Sequence, residues 1–324
     1  MKLSIHVITY NDEKNIARAL ESAIDQKLNC EFEIVIGDDC STDSTREILT
    51  AFRDRHPDII RLILRERNIG DKGKHNFVNT LEACRGEYVA LLPGDDYWTA
   101  EDKLQKQIDF LDANPSYSAC FHNVREVDES NPDHSRLMCP PDQKVDLTVA
   151  DFLECNHIPT CSVVFRNHLF GEVPAWFYRG FPGDWFLHIL NAQHGNVRYL
   201  DEVMAVYRKQ SGGAWSSMAG EFRVRHILDS YRLLDAHLNF EYHDTCLRHM
   251  RELKRELAYI HLGRFHTTSR SGHLGKALPW LFSAVKNEPA RFADPRQLAY
   301  ILKSCALAAV RVVRGRDTRE VASS

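Results

Sequence analysis

Four times in the first hundred residues an apolar, β-rich run gives way within a few positions to a helical pattern, and no other feature restricts the fold as much. The strand candidates are residues 3–8 (LSIHVI), 33–37, 60–64 and 88–92. Residues 12–26 place Ile16, Leu20, Ala23 and Ile24 on one helical face, and residues 73–84 read as helix as well. Ser44-x-x-Glu47 has the spacing of a capping box, so a helix is expected to start there. Another is expected from near Thr99, with Leu104, Ile108 and Leu111 turned inward. Strands joined by short helical crossovers pair in parallel with right-handed connections. The fold class is therefore α/β with a mostly parallel central sheet, whose strand C-terminal ends share one edge. Open α/β sheets bind ligands at that edge.

The residues collected there are chemically unusual. Thr9, Tyr10 and Asn11 follow the first strand, Asp38 and Asp39 the second, and Asp95 and Asp96 the fourth, in the segment LLPGDDYW. Adjacent carboxylates at the rim of a core cost free energy unless something offsets their repulsion. Each pair alone has a plain reading, as a turn or as a cap for the next helix. Together on one edge they read as a site. A divalent cation, Mg²⁺ or Mn²⁺, suits it, since such ions take one or two carboxylates and complete their shell with substrate phosphates.

Several other classes drop out. There is no GxGxxG after the first strand and no GxxxxGK[ST], which removes dinucleotide-binding and P-loop folds. Lys plus Arg number 41 against 45 Asp plus Glu, without the basic excess of a nucleic-acid binder. The 16 His show no HExxH spacing, and the nine Cys form no CxxC. Cys155, His157 and Cys161 allow a zinc grouping, but small buried thiols in a reduced compartment are the plainer reading. No apolar run reaches the roughly 18 residues of a membrane span, and the chain opens in a strand rather than a signal peptide. A cytoplasmic protein is expected, at most peripheral on the inner face of a membrane.

Beyond residue 120 the pattern loosens. It holds a Pro-rich stretch at 131–142, a strand-like CSVVF at 161–165, a helix start GDWFLHIL at 183–190, and two strand-like pieces at 197–200 and 203–207. After Ala219 long helical segments take over, so the expected domains are 1–217 and a C-terminal helical region, 218–324. Residues 273–289 resemble one helix of a helical-hairpin repeat. The apolar run 298–313, with Arg311, Arg314 and Arg316 near its end, reads as a docking helix, or less often as one that touches an anionic membrane.

The set ITYNDEKNIARALESAIDQ, IGDDCSTDSTREIL, NIGDKGKHN, CRGEYVALLPGDDYW and GDWFLHIL resembles the family 2 inverting glycosyltransferases of GT-A fold, over residues 3 to about 213. The resemblance implies a GT-A nucleotide-binding domain that moves a sugar from a nucleotide-diphosphate sugar, most commonly UDP-linked, to an acceptor hydroxyl. Thr9, Tyr10 and Asn11 would line the nucleotide pocket, with Glu13 reaching base or ribose. Asp39 would accept a base N–H, with Asp38 supporting its loop. Asn68 and Lys72 or Lys74 would face the nucleotide or its phosphates. Asp95 and Asp96 match the acidic metal motif, one ligating the cation and the other sharing it or binding ribose. Asp184 matches the catalytic base; it also has the place of a helix cap. Acceptors in the family are commonly saccharide or lipid-linked intermediates of surface polysaccharide. Three positions depart from the pattern: Pro93 stands where a further acidic residue is usual, Gln210 where His is frequent, and Lys74-His75-Asn76 where Ala-Arg-Asn is usual. Arg208 and Ser211 are then candidates for the diphosphate. The competing readings are a degenerate transferase domain acting as a scaffold, and a sugar-1-phosphate nucleotidyltransferase. The latter would want a Gly-rich basic loop after the first strand, which ITYNDEKN lacks.

Overall fold

The structure, a computed structural model, describes residues 1–209, 220–271, 273–296, 298–303 and 305–306. Packing divides the chain into two units, Met1–Ser217 and Met218–Ser324. The first begins β1 (Leu3–Thr9), α1 (Ile16–Ile24), β2 (Phe32–Asp38), α2 (Thr45–Arg55), β3 (Ile60–Leu64), α3 (Lys74–Glu82), β4 (Tyr88–Pro93), β5 (Tyr97–Trp98) and α4 (Lys103–Ala113). It continues through β6 (Tyr117–Asp128), β7 (Asn131–Leu137), β8 (Asp146–Leu147), α5 (Val149–Glu154), β9 (Val164–Arg166), α6 (Gly183–Ala192) and β10 (Asn196–Lys209).

Alternation in β1, β2 and β4 sends Leu3, Ile5, Val7, Ile34, Ile36, Tyr88, Ala90 and Leu92 into one core, with α1 and α4 supplying Ile16, Leu20, Leu104 and Ile108. A parallel sheet covered by helices excludes water from its strands, which explains their nearly continuous apolar runs. The sheet order is β3-β2-β1-β4-β9-β6-β10-β5, with β7 on β6 and β8 on β10. The pairs among β3, β2, β1 and β4 are parallel, as is β6 with β10, while β9 is antiparallel to both β4 and β6. Register sets Thr9 opposite Asp38 and Ile8 opposite Pro93, so the three loops beyond them leave one edge. On the other face α3 approaches β2 at Gly37, where a Cβ would lie 2.0 Å from Thr80 Oγ1 and 2.7 Å from Asn76 Oδ1.

Four local expectations are revised. The Ser44-x-x-Glu47 capping box does not form; Ser44 N–H donates to Glu13 Oε2 (3.0 Å) and Thr45 N–H to Asp43 Oδ1 (3.0 Å). Nearer carboxylates take the free donors. The fourth helix starts at Lys103 instead of near Thr99, because Tyr97 and Trp98 first pair with β10. The Pro-rich stretch contains β7, which folds back on β6. The pieces at 197–200 and 203–207 belong to one strand, β10, joined through register shifts.

The second unit holds α7 (Gly220–His237), α8 (His243–Arg270), α9 (Leu274–Asn287) and α10 (Pro289–Phe292). Its core gathers Ala258, Leu262 and Phe265 with Ala277, Ala284 and Ile301. Of the expected run 298–313, residues 298–303 and 305–306 are helical; Arg311, Arg314 and Arg316 lie outside the described residues. Gln210 and Ser211 lie outside them too. Among the described residues no helix is long and apolar enough to cross a membrane.

Candidate active site

Beyond the ends of β1 and β2 two loops are laced together. Asn11, at φ 50°, donates its N–H to Ser41 Oγ (2.9 Å) and accepts Thr42 N–H at Oδ1 (2.7 Å). Glu13 accepts Ser44 N–H, and Asp12 N–H donates to Thr45 Oγ1 (2.8 Å). Asp38 is fully buried and takes Ser41 N–H, the Ser41 hydroxyl and Arg46 Nε (2.6 Å). Asp39, 4 % exposed, receives Ile69 N–H (3.4 Å) and lies 3.7 Å from Arg65 Nε. Asn68 accepts Gly70 N–H (2.7 Å). The Thr9 hydroxyl oxygen is buried without a hydrogen-bond partner among the described residues, and the Tyr10 ring is half exposed.

Next to these loops lies a cavity of about 630 Å³. Asp95, Asp96, Lys74 and Asp184 line it; Thr9, Tyr10, Asn11, Glu13, Asp38, Asp39 and Asn68 do not. Asp95 and Asp96 cap no helix. Asp96 is 1 % exposed; its Oδ1 accepts the Arg208 backbone N–H (2.9 Å), and its Oδ2 is buried with no hydrogen-bond partner among the described residues. Burial, and then the charge of Asp95, push the Asp96 carboxyl well above the usual range, against the weaker pull of the Arg208 amide and the Cys161 thiol. Burial raises Asp95 as well, with the Arg208 guanidinium opposing. The Tyr207 phenol, on the same wall, is pushed up by burial and then by Asp96, Asp95 and Asp184.

Asp184 sits in the first turn of α6, one residue inside its start. Its Oδ1 accepts Trp185 N–H (2.8 Å), and its Oδ2 accepts the Thr160 hydroxyl (2.9 Å) and Asn156 Nδ2 (3.4 Å). Thr160 and Asn156 were invisible in the sequence, since neither belongs to a motif and both come from the loop after α5. Lys74, 8 % exposed, donates Nζ to the Tyr178 and Gly180 carbonyls (3.2 Å for Gly180) and pairs with Asp71 (3.2 Å). Its ammonium thus lies on the segment that precedes Asp184.

A divalent cation can be tested against these groups. A buried carboxylate oxygen without a donor among the described residues, next to a second carboxylate raised by burial, is the oxygen-rich, donor-poor setting that Mg²⁺ and Mn²⁺ accept. Asp95 and Asp96 fit. Among the described residues no group of three or more His, Cys, Asp or Glu is placed to hold a metal, so the rest of a shell would come from ligand and water.

The fold is that of a GT-A glycosyltransferase, a mixed, mostly parallel sheet with an acidic rim. The sequence profile of Glycosyl transferase family 2 matches residues 4–172, and the chain belongs to that family. An uncharacterized protein of Mycobacterium tuberculosis is 41 % identical over 216 residues, which span 66 % of this chain and 61 % of that one. The succinoglycan biosynthesis protein ExoO of Rhizobium meliloti is 33 % identical over 180 residues, 54 % of this chain and 47 % of its own. Among solved structures, Staphylococcus aureus TarS 1-349 in complex with UDP-GlcNAc superposes with a TM-score of 0.60 at 22 % identity, over 88 % of this chain and 82 % of that one.

Proposed function

We propose that the protein is an inverting, metal-dependent glycosyltransferase that moves a sugar from a UDP-sugar to an acceptor hydroxyl in the synthesis of a surface polysaccharide or glycolipid. The observation that carries this reading is the buried Oδ2 of Asp96, without a hydrogen-bond partner among the described residues, beside Asp95 and in one cavity with the solvent-reachable carboxylate of Asp184. The complex of TarS with UDP-GlcNAc and the role of ExoO in succinoglycan synthesis support the donor and the pathway class.

In this reading Asp184 takes the proton from the acceptor hydroxyl as that oxygen attacks the anomeric carbon, and a single displacement inverts the centre. Trp185 N–H, Thr160 and Asn156 hold both carboxylate oxygens in place, which fixes the direction from which the proton is taken. Asp95 and Asp96 would hold the cation, which when bound offsets the charge of the departing diphosphate. Arg208, whose guanidinium attracts both carboxylates, adds a fixed positive charge at the same wall. Tyr10 offers a half-exposed ring for the base.

The test is thermal stability with UDP, GDP, CDP or dTDP, each with Mn²⁺, Mg²⁺ or EDTA, on the wild type and on Asp95→Asn and Asp96→Asn. Ligand at 100 times its dissociation constant adds about 2.7 kcal/mol. Stabilisation by UDP that needs metal and vanishes in an Asp variant is the expected result. No shift with any nucleotide and metal would move the scaffold reading to first place.

A further inference from the structure

Residues 69–75 make three separate contacts with residues 178–181, and Lys72, Lys74 and Phe181 among them line the cavity that holds Asp184. The Lys74 ammonium is bonded to the carbonyls of Tyr178 and Gly180. The His75 ring stacks on Tyr178, centroids 4.7 Å apart and planes 24° from parallel. The Lys72 ammonium lies 4.5 Å from the centre of the Phe181 ring. Four successive residues from Gly70 to Gly73 have positive φ, between 50° and 78°, which turns the chain tightly enough to present Lys72, Lys74 and His75 to one partner.

The gripped segment leads straight into the base. Gly180 is followed by Phe181, Pro182 and Gly183, and Asp184 opens the first turn of α6. A Cβ built on Gly183 would lie 3.9 Å from Lys74 Cγ, so the lysine stem runs alongside the approach to Asp184 as well. Gly180 is itself pressed close, since a Cβ there would fall 1.9 Å from the Phe186 ring of α6. Lys74 also pairs with Asp71 in its own loop. A buried ammonium with two carbonyls and one carboxylate has its donors committed, and pulling it toward a phosphate would leave buried acceptors unpaired.

We infer that Lys74 is a positioning residue: it ties the 69–75 loop to the 178–181 segment and so holds Asp184 where it can take the acceptor proton. This rests on the reading of Asp184 as base, and it departs from the sequence expectation that Lys74 faces the donor phosphates. The two roles of Lys74 predict opposite kinetics. A phosphate ligand acts on donor affinity, whereas a clamp on the base acts on turnover with donor affinity unchanged.

The experiment uses the full chain as wild type, Lys74→Met, Lys74→Arg and Asp184→Asn. The readouts are UDP release from UDP-GlcNAc at saturating donor with water or octyl glucoside as acceptor, the UDP-induced thermal shift with Mn²⁺, and hydrogen exchange at the Trp185 amide. Lys74→Met is expected to lower saturated turnover about tenfold or more, as a misplaced reacting group does. Its UDP shift should match wild type, its Trp185 amide should exchange faster, and Lys74→Arg should restore most of the turnover. A Lys74→Met variant with a weakened UDP shift and normal saturated turnover would overturn the inference in favour of a phosphate ligand. Unchanged Trp185 exchange would overturn it as well, whatever the turnover. If Asp184→Asn keeps full turnover, the base assignment falls separately, and the exchange at Trp185 still decides whether Lys74 holds that segment.

Discussion

At the scale of single residues, three side chains carry sharp expectations. Thr160 gives Asp184 one of its two side-chain hydrogen bonds, and Thr160→Val keeps the shape while removing the donor. Turnover is expected to fall about tenfold with the donor KM unchanged, as measured in steady-state assays across donor concentration. Asp184→Asn, which keeps the volume and on the proposed reading removes the base, should cost about a hundredfold or more in turnover, with UDP binding by titration intact. Lys103 is a different case. It is wholly buried, its ammonium 4.2 Å over the Trp98 ring and without a hydrogen-bond partner among the described residues, and burial lowers it from 10.5 to about 7. The unfolded chain therefore binds a proton that the folded chain resists between those two values. Stability from this group is full above pH 10.5 and is lost as pH falls toward 7. Lys103→Met should raise the melting temperature at pH 7, with the gain shrinking toward pH 10.5; a gain that does not depend on pH would sink this account.

At the scale of elements, the sequence was legible wherever a signal was local and periodic. The apolar runs at 3–8, 33–37, 60–64 and 88–92 became β1 to β4 with ends moved by one residue at most, because a strand buried on both faces leaves no other place for such runs. The carboxylates at their ends could be placed on one edge for the same reason. What could not be read is what depends on a partner far away in sequence. The capping box at Ser44 lost to Glu13 and Asp43, and the break between 197–200 and 203–207 proved to be a register shift inside one strand. Nothing near Lys74 in the chain signals that its ammonium ends on the carbonyls of Tyr178 and Gly180, more than a hundred positions on. The seat of α3 on β2 gives an element-scale prediction. Gly37→Ala would drive a methyl into Thr80 and Asn76, and about 1–3 kcal/mol of destabilisation is expected in chemical denaturation. A Thr80→Ala partner change should recover part of it, since Thr80 Oγ1 is the nearest obstacle.

At the scale of the whole molecule, every described residue lining the cavity belongs to the first unit, which has a core of its own. A fragment ending at Ser217 is therefore expected to melt cooperatively and to keep the metal-dependent UDP shift of the full chain, a comparison that calorimetry can make directly. Loss of the shift in a folded fragment would mean that the helical unit contributes to donor binding. The direction of β9 was not legible, since only Val164 and Phe165 of CSVVF belong to it and so short a run gives no sign of direction. That short antiparallel strand joins two parallel blocks, β3-β2-β1-β4 on one side and β6-β10 on the other. Asp95 and Asp96 leave the first block; Asp184 precedes the last strand of the second. If Asp184 is the base, relatives can vary the acceptor side of the site by changing the second block, provided that they keep Arg208, whose amide holds Asp96. A laboratory could do the same by recombining relatives at the seam that β9 forms.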